Sequence, residues 1–173
     1  MSRLPARALG AAVVLALGLG LAPTAPAPAG AAATIAPHLP NGSLVQRLLE
    51  DQVLALTNRE RRRHGCGRLR TSSPLRQAAR GHTVSMAMAD TMAHQLPGEP
   101  RFSTRISRAG YRDWHLVAEN IARGYGSPTE VVAAWMASPS HRRNLLDCRL
   151  RDLGVGVVLQ AGQLWWTQDF GAR

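Results

Sequence analysis

The chain has 173 residues and a formal net charge of +10, and it contains no lysine, so the excess is carried by arginine. A length of this order provides one core-forming domain and excludes two ordinary ones, and no internal repeat points to a solenoid. The charge suits anionic polymers or lipid head groups outside the cell, set against a plain solvated helix face, whereas nucleic acid is disfavoured because Arg61-Arg62-Arg63 lacks interleaved aromatics.

Residues 1–33 open with Arg3 and Arg7, continue as an apolar run from Ala8 to Leu21, and end in prolines and small residues up to Ala31-Ala32-Ala33. This reads as a secretory signal peptide, the apolar run being short for a span of roughly 20 residues. An uncleaved membrane anchor is the alternative reading. No Cys follows the run, so lipoprotein attachment is not supported, and no membrane span is expected after cleavage. Residues 34–42, with Pro37 and Pro40, have nothing to bury and read as a flexible leader. Residues 43–173 form the expected single domain, read as a monomer.

In that domain Ser43 is a plausible N-cap, and Val45, Leu48, Leu49, Gln52, Val53 and Leu56 recur at helical spacing until Gly65, which predicts a first helix with this stripe toward the core. Ser73-Pro74 starts a second helix reaching about Asp90, with Leu75, Ala78, Ala79, His82, Met86 and Ala89 on one side. Residues 94–116 are irregular, with a short helix expected from Ser103 to Ala109; so long a connection is unusual in a compact domain unless it lines a site. Ser127-Pro128 opens a third long helix to Ala137, and Ser138-Pro139 a further one to about Leu146. Gly154–Gln160 and Gln163–Phe170 alternate around Ala161-Gly162 as a β-hairpin, and another strand is expected between Leu116 and Arg123. Leu164, Trp166 and Phe170 point one way and Trp165 the other, so the last strand is expected to be covered on both faces.

Cys66 and Cys148 both lie in the exported part, where pairing is the default. Closing a loop of about 80 residues contributes roughly 4 kcal/mol in the chain-entropy account. A metal-binding or reactive thiol pair is the competing reading, although neither Cys sits at a metal-ligand spacing.

Several short motifs follow one another: Leu56-Thr57-Asn58-Arg59-Glu60-Arg61, Met92-Ala93-His94, Ala109-Gly110-Tyr111, Glu119-Asn120-Ile121-Ala122, the Trp135 to Leu145 block, Gly154-Val155-Gly156-Val157 and Trp166-Thr167-Gln168-Asp169-Phe170-Gly171. In this order the chain resembles the CAP superfamily of cysteine-rich secretory, antigen 5 and pathogenesis-related proteins, in its compact bacterial branch, from about Leu44 to Gly171. The resemblance implies an α+β three-layer α-β-α sandwich whose small antiparallel sheet ends in the C-terminal hairpin. It also implies a cavity holding two His and two acids, which in some members takes a divalent metal.

Carried over by motif, His94 is the first His, Glu119 the acid and His141 the second His. The fourth position does not carry over: longer members place a Glu three residues after the motif Trp, and here that residue is Ser138. Glu130 is a substitute acid on paper, but Ser127 and Glu130 also fit a capping box. His94, Glu119 and His141 alone have the chemistry of an open two-His, one-Glu zinc site with water in the fourth position, so zinc is the expected cofactor if a metal is held. His141 falls in the first turn of its helix, where the dipole favours a neutral imidazole. Asn120 is expected to bond backbone, and His82 to be a satisfied core histidine; His38, His64 and His115 carry no signal.

Nucleophilic catalysis finds little support: Ser140 and His141 are sequence neighbours that cannot face each other on a helix, and there is neither a Gly-x-Ser-x-Gly elbow nor a His-Glu-x-x-His helix. Two functions remain. One is a secreted module binding an envelope or extracellular ligand such as lipid, wall polymer or protein. The other is a hydrolase of peptidoglycan or peptides, working by a metal or by His and Glu as base and acid.

Overall fold

The computed structural model describes residues 43–173. The expected signal peptide and leader lie outside the described residues. In chain order the elements are α1 (Leu44–Arg63), β1 (Arg70–Thr71), α2 (Ser73–Met88), α3 (Phe102–Arg108), β2 (Leu116–Arg123), α4 (Pro128–Ala137), α5 (Pro139–Leu145), β3 (Asp152–Gln160) and β4 (Gln163–Ala172).

The strands form one sheet in the order β1-β3-β4-β2. β2 and β3 each pair antiparallel with β4, as expected, and β1 adds a short parallel pairing with β3, Arg70 with Asp152 and Thr71 with Leu153, that makes the sheet mixed. Two residues carry no readable alternation, so β1 leaves no mark in the sequence pattern. The β3–β4 turn has Ala161 and Gly162 both at positive φ, 48° and 75°, the backbone of a two-residue hairpin turn whose twist matches the strands.

Period-two alternation divides the sheet's side chains between two helical layers. Leu153, Val155, Val157, Trp166 and Phe170 pack with Val53 of α1, Val131 and Trp135 of α4 and Leu145 of α5. On the other face Trp165, Val158 and Ile121 meet Met86 and Ala87 of α2, while Leu75 and Ala78 join Ile106 and Tyr111 beside α3. The expected burial of both strand faces is what makes the three-layer sandwich. α2 lies almost on the backbone of β3: a Cβ on Gly154 would sit 2.0 Å from Arg76 N, and one on Gly156 2.6 Å from the Ala79 carbonyl carbon.

α1 is where the periodicity reading fails. Val45 and Leu48 are more than half exposed, whereas Gln46, Glu50, Val53, Thr57, Asn58 and Arg61 face inward. The helix is rotated because each inward polar group finds a partner that a hydrophobic side chain could not supply. Gln46 Nε2 donates to Val157 O at 2.8 Å, Glu50 pairs with Arg80 at 2.6 and 2.7 Å, and Gln168 Nε2 donates to Thr57 at 2.9 Å. Arg61 donates to the carbonyls of Gly67, Leu145, Asp147 and Leu150 at 2.8–3.1 Å. Cys66 and Cys148 are bridged.

Helix starts follow the cap chemistry with small shifts. Ser43 accepts from Gln46 N, and α2 is capped by Ser72, so that Ser73 is its first residue and Pro74 its second. Glu130 is the cap residue: its amide donates to Ser127 Oγ at 3.2 Å and its carboxylate accepts from Gly126 N at 2.8 Å. Ser138 holds the N-cap position of α5, but its hydroxyl faces Ser140 Oγ instead of an amide.

Candidate functional site

The site forms around β2, an edge strand. The carbonyls that β2 turns away from β4 are capped by side chains: Trp135 Nε1 donates to Ile121 O at 3.2 Å and Asn144 Nδ2 to Glu119 O at 3.1 Å. These bonds close an edge that would otherwise be open to another chain. Asn144 also donates to Asn120 Oδ1, and Asn120 Nδ2 donates to His141 O. Asn120 is thus structural, as expected, and it ties α5 to the strand that carries Glu119.

Alternation along β2 sends Glu119 to the α2–α3 side, where it is buried. Its Oε1 accepts from His94 Nδ1 at 2.7 Å and its Oε2 from Arg105 Nη2 at 2.5 Å. A carboxylate can only accept, so Nδ1 of His94 carries the hydrogen and Nε2 faces outward as the free ring position. The His94 side chain is 54% exposed.

The loop bearing His94 is held by buried groups. Arg105 Nη1 donates to the carbonyls of His94 and Pro100, and Glu99 lies 3.4 Å from the same nitrogen. His82, fully buried, bonds Glu99 Oε1 at 2.9 Å and Ala93 O at 3.0 Å, while Glu99 Oε2 accepts from Leu96 N. His82 is the satisfied core histidine expected, and it also positions the segment next to His94. Arg105 and Glu99 escaped the sequence reading because nothing in a short helix and a Pro-rich turn marks them; only the fold brings them to Glu119.

His141 approaches from the α4–α5 side. It lines a hollow of about 210 Å³ with Met92, Ile121, Arg123, Tyr125 and Trp135. Burial, and then the charge of nearby His94, push its pKa below that of a free imidazole. A larger hollow of about 610 Å³ lies away from the His94–Glu119 pair, lined by Arg142, Arg143, Arg149 and apolar groups of α4 and α5.

The structure therefore joins His94 to Glu119 directly and sets His141, on α5, within range of the His94 charge. A two-His, one-Glu metal site does not fit this arrangement. Both Glu119 oxygens and His94 Nδ1 are engaged, and among the described residues no three or more His, Cys, Asp or Glu side chains gather as a metal-holding group.

Asp169, absent from the sequence-based site, stands opposite Glu119 in the β2–β4 register and is 1% exposed. Neither of its oxygens meets a donor. Burial, followed by the charge of Glu119, raises its pKa well above the usual carboxylate range.

A mixed four-stranded sheet between two helical layers, with a His–Glu pair at its edge and a bridge between distant cysteines, defines a CAP-type domain. The family model for the cysteine-rich secretory protein family matches residues 54–170, and the chain belongs to that family. It is 36% identical over 124 residues to the uncharacterized protein YkwD of Bacillus subtilis, covering 70% of this chain and 47% of that protein. It is 32% identical over 129 residues to the uncharacterized membrane protein YlbC of the same organism, covering 75% of this chain and 36% of that one. The chain thus spans less than half the length of these curated relatives. Among solved structures, an extracellular SCP-domain protein of Bacillus anthracis superposes with a TM-score of 0.69 at 28% identity, over 75% of this chain and 42% of that one. An outer surface protein of Borrelia burgdorferi shares the fold, with a TM-score of 0.66 at 21% identity over 71% of this chain and 91% of that one.

Proposed function

We propose that this CAP domain works outside the cytoplasm as a binding module for an envelope or extracellular ligand, with the outward ring position of His94 and the imidazole of His141 as its polar contacts. Support for the location comes from the arginine-flanked apolar N-terminus, the Cys66–Cys148 bridge and the similarity to the extracellular SCP-domain protein of Bacillus anthracis. No helix among the described residues is long and apolar enough to cross a membrane.

The observation that carries the binding reading is the engagement of Glu119. A buried carboxylate whose two oxygens are taken by His94 and Arg105 orients the imidazole and is poorly placed to activate water itself. Exposed Arg142 and Arg143 in the last turn of α5 add a positive surface suited to an anionic wall polymer or lipid head group. A hydrolytic reading draws on the same pair, with His94 as the general base held by Glu119.

The test is sedimentation of the whole protein with purified wall polymer and with anionic lipid vesicles, for the wild type and a His94→Ala, His141→Ala double variant. Retention by one of these ligands that falls at least tenfold in the variant supports the reading. Equal retention of both proteins, or soluble fragments released from labelled peptidoglycan by the wild type alone, overturns it, the second outcome in favour of hydrolysis.

A further inference from the structure

The motif reading leaves the site one acid short, and Glu130 is spent on its helix cap. We propose that Asp169 is the second acid of the site, a positioning residue whose neutral carboxyl donates its hydrogen to Glu119 and holds that carboxylate between His94 and Arg105.

The geometry starts from the sheet register, which sets Glu119 and Asp169 opposite each other. Glu119 turns its carbonyl to Asn144, away from β4, so the two form a non-hydrogen-bonded pair, the closer of the two antiparallel kinds, with Cα atoms about 4.5 Å apart. Their side chains share one face, and both are buried.

Two neighbouring carboxyls in a dry site cannot both carry charge, and one keeps a proton. The donors decide which. Glu119 accepts from an imidazole N–H and a guanidinium, whereas Asp169 has no donor to either oxygen. A carboxylate with no hydrogen bond is costly to bury; a carboxylic acid at the same place has an O–H that needs an acceptor, and Glu119 retains lone pairs to accept it. The charged groups that act on Asp169 are Glu119 on β2, Arg105 on α3 and Glu99 on the loop before α3. The two acidic neighbours favour the neutral form, and the one cation is already bonded to Glu119 and the His94 loop. Proton sharing leaves His94 bonded to a carboxylate locked on three sides, which fixes the ring whatever ligand it meets.

The experiment needs no ligand, so it stands or falls separately from the binding reading. The whole protein, carrying carboxyl-¹³C aspartate, is followed by NMR through neutral pH, alongside the His94 imidazole in the wild type and in Asp169→Asn. The expected result is one aspartate carboxyl at the protonated chemical shift, missing in Asp169→Asn, with the His94 titration midpoint unchanged because an amide replaces a neutral acid and donates in its place. An Asp169 signal at the ionised position in the wild type overturns the proposal. So does a His94 midpoint that falls in Asp169→Asn, since that shows a negative charge was removed.

Discussion

Glu119 has the burial of a core residue and the partners of a site residue, and both come from its place on an edge strand. Inward alternation carries the carboxylate beneath the loop that holds His94, and Arg105 offsets its charge. Of the candidate site residues, His94, Glu119 and His141 are legible from local wording, because each sits in a short motif. Arg105, Glu99 and Asp169 are not, because their roles come from contacts between segments far apart in the chain. His141 yields a prediction at this scale. Its pKa is lowered by burial and by His94, so below the ordinary imidazole value of about 6.5 the unfolded chain binds more protons than the folded one. The contribution of neutral His141 is therefore full above that value and is lost as pH falls through the folded value. Urea unfolding midpoints are expected to decline on acidification through this window, and His141→Gln is expected to flatten the decline relative to the wild type; equal slopes in the two proteins would refute the assignment. Asp169, raised instead of lowered, acts in the opposite sense in both proteins and drops out of the comparison.

Elements with one apolar face were read correctly, and those whose inner face is polar were not. α2, β3 and β4 show their periods plainly, since the apolar groups they bury, among them Leu75, Ala79, Met86, Val155, Val157, Trp165, Trp166 and Phe170, recur at the period of the element. α1 misleads because its inner stripe of Gln46, Glu50, Thr57 and Arg61 satisfies hydrogen bonds across the sandwich, while Val45 and Leu48 face out. The α2–β3 contact is testable by glycine substitution. Gly156→Ala places a methyl against the Ala79 backbone and is expected to destabilise the protein by about 1–3 kcal/mol, as overpacking does. Gly81→Ala, on the exposed side of the same helix with nothing within 4 Å of the added carbon, is expected to stabilise by about 0.5–1 kcal/mol. Guanidinium unfolding of the two variants checks the opposite signs.

Over the whole molecule, the ends of α1 and α5 are brought together twice, by the Cys66–Cys148 bridge and by Arg61 reaching the carbonyls after α5. The bridge closes a separation of 82 residues. Its loss through Cys66→Ser, Cys148→Ser is expected to cost roughly 4 kcal/mol, read as a lowered calorimetric Tm with the fold retained by circular dichroism. Motif order and period-two alternation by themselves pointed to the family and the sandwich and singled out His94, Glu119 and His141 as site candidates, because such signals are carried by residues close in sequence. Only the tertiary structure decided that α1 turns a polar face inward, that Glu130 serves a helix start, and that Arg105 and Asp169 flank Glu119. Those outcomes depend on which buried group finds a partner across the core, and that partner is chosen by the packing of distant segments.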